Sequence, residues 1–285
     1  MKIIETGGMF TEIVNNYKRE KKHCRTNMIF MQNEINDLID GGKLYYDLIE
    51  GVLWFFLKHE GFYIAYFYLP KEEKLRLIPQ DLDVIVELYG NNDRYNSDWE
   101  TELMETGFEK YHKSFEYMTK KEGCQKIVEK RQEKLKKFVE KMDCYCRIAK
   151  KEDYEAMYQL WRSKIDNYAV HRMTEKEIEE MERYNRGHLI LNKNNEILAA
   201  SNYTRVGNAA IRENIVALQK GFGPAVSILT TAYALKEGCD KMISWVWEDN
   251  KDIALNINPD RLKKGGATVK TGRFCQQFLM RKAEC

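Results

Sequence analysis

The spacing of hydrophobic positions changes along the chain, and the changes mark out elements. Phe10, Ile13, Val14 and Tyr17 recur three and four residues apart, which predicts an amphipathic helix leading into the basic stretch 18–22. A second helix is expected over about Asn27–Ile39, closed by Gly41-Gly42. From Leu44 to Leu69 the texture turns aromatic and β-branched, broken at Glu50-Gly51 and Glu60-Gly61, so this stretch reads as short strands. Turns that tight join antiparallel neighbours. Leu82–Tyr89 predicts a further strand, Ser97 or Asp98 caps a short helix ending at Gly107, and Phe108–Met118 is strand-like again. Residues 1–120 are therefore expected to form one α+β domain.

Between 121 and 142, Val128, Leu135, Phe138 and Met142 share one helical face with lysines and glutamates between them, the pattern of an amphipathic linker helix. A second domain is expected over 143–285. It opens with a strand at Cys144–Ala149 and a helix striped by Tyr154, Met157, Tyr158, Trp161 and Ile165. Thr174-Glu175-Lys176-Glu177 has the form of a capping box and starts another helix, stopped at Gly187. Strands follow at His188–Leu191, Glu196–Arg205 and Ala210–Leu218, with turns at Asn194-Asn195 and Gly207-Asn208. A helix over about Ala225–Glu237, a strand at Met242–Trp247, a helical stretch near Asn250 and final strands between Ala267 and Arg281 complete the pattern. The halves share an order of elements, not of residues, which points to an internal duplication. Between Leu69 and Asp81 the first half has no room for both a glycine turn and a long helix.

Composition narrows the functional classes. The 285 residues are 44% hydrophobic, ample for a buried core, so disorder is excluded as the main state. Lys+Arg 46 against Asp+Glu 44 leaves +2, which gives no electrostatic case for nucleic acid or an anionic membrane. No apolar run is long enough for a membrane span, and no leader is expected from the first residues. Seven scattered cysteines without a CxxC, and histidines outside any metal motif, predict a reduced, metal-free, cytoplasmic protein. The aromatic runs Trp54-Phe55-Phe56 and Phe62–Tyr68 lack a basic strip beside them and read as sheet core.

The stretch from Val216 to Ala225 carries the most chemistry. An apolar strand enters a turn with two glycines, and the turn opens a helix. Successive N–H groups in such a turn can converge on one anion, and the helix N-terminus adds about half a positive charge. Glycine admits phosphate oxygens without a Cβ in the way, and Pro224 stands where a first-turn proline is tolerated. A Gly-x-Gly before a helix is equally an ordinary strand–helix connection. Its surroundings, however, resemble the acyl-CoA pyrophosphate loop of the GCN5-related N-acetyltransferase superfamily. That motif, Gln/Arg-x-x-Gly-x-Gly/Ala, is matched by Lys220-Gly221-Phe222-Gly223-Pro224-Ala225, with lysine in the first place. The strand Ile243–Trp247, Asn250 and the opening Arg147–Asp153 follow the family's order, and Glu105-Thr106-Gly107-Phe108 is similar to its late Gly-Phe.

The resemblance implies two tandem acyl-CoA N-acyltransferase-like domains, each a mixed, mostly antiparallel sheet flanked by helices, the N-terminal copy degenerate. It implies that the backbone of Val216, Ala217 and Leu218 pairs with the pantetheine arm of acetyl-CoA. Lys220, Gly221, Phe222, Gly223 and Ala225 would cradle the pyrophosphate, and Asn250 would touch the cofactor. The implied reaction is attack of an amine, of a small-molecule acceptor, on the thioester, without a metal. Glu213 lies where family members place a general base, and is equally readable as an exposed or ion-paired strand residue. Where the family has a proton-donating tyrosine this chain has Ile257 and Asn258; Asn258 resembles the asparagine of mycothiol-synthase-like members, and Tyr203 and Tyr184 are other donor candidates. Two further functions stay open: a non-catalytic acyl-CoA-binding sensor or interaction module, and an aminoacyl-tRNA-dependent transferase of the peptidoglycan cross-bridge type. Near-neutral charge and an intact phosphate loop weigh against the last.

Overall fold

A computed structural model describes residues 1–28, 35–36, 38–39, 42–78, 80–91, 98–250 and 268–283. The chain divides into two units, Met1–Ser114 with Arg273–Cys285, and Phe115–Gly272. In the first, β1 (Lys2–Ile3), α1 (Gly7–Glu20) and β2 (Cys24–Thr26) precede a meander of β3 (Leu44–Ile49), β4 (Val52–Lys58) and β5 (Phe62–Pro70). The β3–β4 turn sets both Glu50 and Gly51 at positive φ, 46° and 85°, as a two-residue hairpin of matching twist requires. β6 (Asp83–Asn91) then runs parallel to β5, in register from Phe62↔Asp83 to Ala65↔Val86. α2 (Asp98–Glu105) leads into β7 (Glu109–Lys120). Alternation places Trp54, Phe56, Ala65, Phe67 and Val86 on one buried face, while Phe55 meets Phe10 of α1 at 4.9 Å on the other. Every residue of β5 is buried, so the aromatic runs are core, as expected.

The unit boundaries differ from those read in the sequence. β6 needs an antiparallel neighbour along its outer edge, and β13 (Thr268–Met280) supplies it, from Arg273↔Asn91 to Met280↔Val84. Phe278 and Met280 enter the same core as Trp54 and Phe67. Residues 273–285 therefore complete the first unit instead of ending a domain at 143–285, and 115–142 belong to the second instead of forming a domain end and a linker. A single long strand stands where several were expected after 267. Most of the helix expected over 27–39 lies outside the described residues, as do Ser97, Ile257 and Asn258.

The second unit holds α3 (Lys121–Lys141), β8 (Cys144–Ile148), α4 (Tyr154–Arg162), α5 (Glu175–Arg183), β9 (Gly187–Asn192), β10 (Ile197–Val206), β11 (Ala209–Ala217), α6 (Phe222–Lys236) and β12 (Lys241–Trp247). β8 to β11 are antiparallel neighbours in that order, and β12 pairs parallel with β11. Thr174 and Glu177 form the expected capping box at the start of α5. Tyr158 and Trp161 of α4 and Met181 of α5 cover one sheet face with Leu189, Leu191 and Val216. Leu135 of α3 and Phe222 and Val226 of α6 cover the other with Ile190 and Ala199. Truncating the fully buried Phe278 ring by Phe278→Ala should destabilise the protein by about 3–5 kcal/mol, read by chemical denaturation. A loss under about 1 kcal/mol would mean that β13 is not part of the first core.

Candidate acyl-CoA cleft

β11 and β12 stay in register only from Ala209↔Lys241 to Arg212↔Ser244, although the strands run on to Ala217 and Trp247. Beyond Arg212 they part, and the β11 edge from Glu213 to Ala217 has no ladder partner on that side among the described residues. On its other side β11 pairs with β10, with the register broken between Ser201↔Ile215 and Tyr203↔Arg212. This bulge sets Glu213 and Asn214 against the single residue Asn202, whose Oδ1 accepts the Asn214 N–H at 3.2 Å. Bulges of this kind re-aim side chains beside functional sites.

Past the open edge the chain enters the glycine turn. Gly221 caps α6 at φ 95°, with the Phe138 ring so close that a Cβ there would lie 3.1 Å from it. The N–H of Phe222 bonds Gln219 O, and that of Ala225 bonds Gly221 O. The N–H groups of Gln219, Lys220, Gly221 and Gly223 have no partner among the described residues. They lie at the N-terminus of a 15-residue helix, where the backbone dipoles favour an anion. A Cβ on Gly223 would meet only Ala217 Cβ, at 3.9 Å, so there is open space in front of this turn. The residues therefore fit an anionic group at the turn. Of the expected cradle, Ala225 spends its N–H inside the helix and the Phe222 side chain is core, while Gln219 joins the open donors. Val216 is likewise core through its side chain, Leu218 N–H bonds Leu198 O, and Asn250 donates its backbone N–H to Trp247 O as β12 ends.

Strand alternation sends neighbouring residues to opposite faces. Glu213 faces the α5 side and keeps access to solvent. Desolvation by the surrounding protein, with the Glu177 carboxylate adding to it and a Thr204 hydrogen bond opposing, pushes its carboxyl up to about 7. Tyr203 and Arg212 are cross-strand partners and both face α6. The hydroxyl of Tyr203, a donor candidate in the sequence, is buried, donates to Glu237 at 2.8 Å, and is held protonated by burial and by that carboxylate. Glu237 also takes Arg186 at 2.6 Å, and these bonds keep its carboxyl below the ordinary range although burial opposes them. His188, 1% exposed, lies against Tyr203 and Tyr233 and near Thr230 Oγ1 (3.3 Å), and burial drives its pKa down to about 3. This network ties α6 to the sheet; it is structure behind the turn. Tyr184 is exposed at the end of α5 with Arg186 over its ring.

The first unit repeats the parting and fills it. Past Ala65↔Val86, Asn27 reaches between the strands: its Oδ1 accepts Phe67 N–H at 2.8 Å, and its Nδ2 donates to Ala65 O and Glu87 O, both 3.3 Å. β2 then pairs along the rest of β5, from Thr26↔Tyr68 to Cys24↔Pro70. A side-chain amide and a strand of the chain itself thus occupy the edge whose counterpart in the second unit has no ladder partner among the described residues. Neither Asn27 nor β2 was singled out in the sequence, where Cys24-Arg25-Thr26-Asn27 carries no pattern.

No protein-family model matches the chain, and no curated protein matches it. Solved structures do. A GCN5-related N-acetyltransferase from Kribbella flavida superposes with a TM-score of 0.50 at 9% identity, over 98% of this chain and 70% of that one. A conserved protein of unknown function from Enterococcus faecalis, described as a probable N-acyltransferase, gives 0.50 at 9% identity, over 98% and 71%. The chain has the fold of the GCN5-related N-acetyltransferases, an α+β fold with a mixed sheet flanked by helices. Among the described residues no His, Cys, Asp and Glu cluster suited to a metal occurs.

If Asn27 closes the first cleft, Asn27→Ala strands an N–H and two carbonyls and should cost about 1–3 kcal/mol. Urea denaturation checks this, and an unchanged midpoint would remove Asn27 from that role.

Proposed function

We propose that the second unit binds one acyl-CoA per chain, acetyl-CoA in the simplest case, and transfers the acyl group to the amine of a small molecule. The observation that carries this is a sequence of unmet needs: strand edge from Glu213 to Ala217, then the open N–H groups of Gln219, Lys220, Gly221 and Gly223. A ligand with amides in line followed by a pyrophosphate meets those needs in that order. The occupied edge of β5 supports a single site per chain.

Glu213 suits the role of base. With its pKa near 7 it takes a proton from an ammonium acceptor or a bridging water and frees the lone pair for attack. Asn258, outside the described residues, remains our candidate for assisting the leaving thiolate. The six described cysteines are all unpaired, which supports a reducing, cytoplasmic setting; no described helix is long and apolar enough to cross a membrane. Near-balanced charge supports a small acceptor over nucleic acid or membrane. The engagement of Tyr203 with Glu237 favours one second reading, an acyl-CoA-binding module without turnover. Thiol release from acetyl-CoA with a panel of amines separates the two.

Gly223→Asp puts a carboxylate in open space before the turn, where it can be accommodated without a clash. Charge repulsion and steric exclusion should then weaken CoA binding by at least ~2 kcal/mol. Calorimetry on the folded variant checks this, and undiminished binding or two sites per chain refutes the assignment.

The rate should rise with pH through about 7, because the raised pKa leaves Glu213 protonated below that value and basic above it. Glu213→Gln should lower turnover by about 10²-fold or more and abolish this limb, with little change in CoA affinity. A pH profile unchanged in the variant assigns the limb elsewhere.

A further inference from the structure

Arg212 stands at the last register position before β11 and β12 part, opposite Ser244. Its guanidinium donates to Ser244 Oγ at 3.4 Å and to Thr231 Oγ1 of α6 at 3.1 Å. Its Nε is shut off from solvent and has no acceptor. Among the described residues no carboxylate pairs with it. Cys124 of α3 is a near neighbour, and burial raises that thiol's pKa, so it brings no negative charge. Desolvation lowers the pKa of the guanidinium to about 10, still far above neutrality. A cation held among neutral hydroxyls with one donor unused is a cost to the folded state. The equivalent position in the first unit, the last pair before its strands part, is Ala65, so this type of strand junction does not require a charge.

The position has a meaning for a bound thioester. Glu213–Ala217 spans roughly 16 Å of strand, and Thr231 lies about 14 Å along α6 from Phe222. An extended pantetheine arm anchored by its pyrophosphate at the glycine turn covers a similar length, so its acyl end arrives where the strands close, beside Arg212. We propose that Arg212 selects the acyl group: the cleft takes acyl chains that end in a carboxylate, as in thioesters of dicarboxylic acids, in preference to acetyl. This rests on the reading of the cleft as a CoA site and narrows its acyl group. Each Nη group has a hydrogen left after its bond to Ser244 or Thr231, and on this half-buried side chain those are the donors that a carboxylate would engage in a charge-assisted fashion. The acyl carboxylate would supply the anion that the described residues do not.

Calorimetry on the full chain with CoA, acetyl-CoA and succinyl-CoA tests it, using the parent, Arg212→Gln and Arg212→Met. The parent should bind succinyl-CoA about tenfold or more tighter than acetyl-CoA, the scale of a charge-assisted pair. In both variants that ratio should fall to near one. Ligand-free Arg212→Met should melt at or above the parent temperature, since a half-buried charge without a carboxylate partner among the described residues is removed. Equal affinity of the parent for both thioesters overturns the inference while leaving the CoA site standing, as does a preference that survives in the variants. Lower melting of Arg212→Met also overturns it, by making the guanidinium a structural support. No binding of CoA itself overturns the reading of the cleft beneath it.

Discussion

A parallel strand pair that separates leaves backbone donors and acceptors without partners, and buried groups of that kind are not tolerated unmet. Both units of this chain contain such a separation, after Ala65↔Val86 and after Arg212↔Ser244. Much else follows from how each is resolved. The first unit closes it with Asn27 and β2, and with no helix in the described part of the connection Leu75 and Leu77 fill its core there. The second has no ladder partner there among its described residues, and a glycine turn and a long helix follow that edge. Two similar strand separations are thus resolved differently, and the difference is a question of which atoms meet the same hydrogen-bonding need.

The second unit separates its charged groups by strand alternation. Glu213 and Arg212 are adjacent in sequence yet face opposite sides of the sheet, the carboxylate toward α5 and the guanidinium toward α6. A proton acceptor and a fixed cation are kept close without neutralising each other. Behind the turn, the bonds of Tyr203, Arg186 and Arg205 to Glu237 and the buried His188 fix α6 to β9 and β10. The C-terminal end of α6 is thus anchored to the sheet by charge-assisted bonds.

Local signals were legible in the sequence and non-local ones were not. The meander from Leu44 to Leu69, the capping box at Thr174 and Glu177, and the glycine turn at Gly221 each depend on residues within a few positions of one another. The partnership of β6 with β13 depends on register between distant segments, and a strand of thirteen residues offers its pattern to any edge. The place of Tyr203 is non-local for the same reason: that it faces Arg212 and α6 is set by a bulge two residues wide opposite Asn202, which no periodicity announces. Asn27 and β2 are legible only as a consequence of the gap they fill. Glu213 was correctly placed on its strand, but its raised pKa comes from surroundings brought together by folding.

The place of β13 also orders events in time. Gln277 meets Glu87 across 190 residues of chain, and contacts of such long range are slow to form because a large loop must close first. During synthesis the first unit emerges early but keeps β6 uncovered until β13 has been made. The second unit, whose sheet from β8 to β12 is contiguous in the chain, can finish beforehand. The half that is translated first is thus the half that is completed last, and a pause late in translation would prolong the exposure of its unpaired edge.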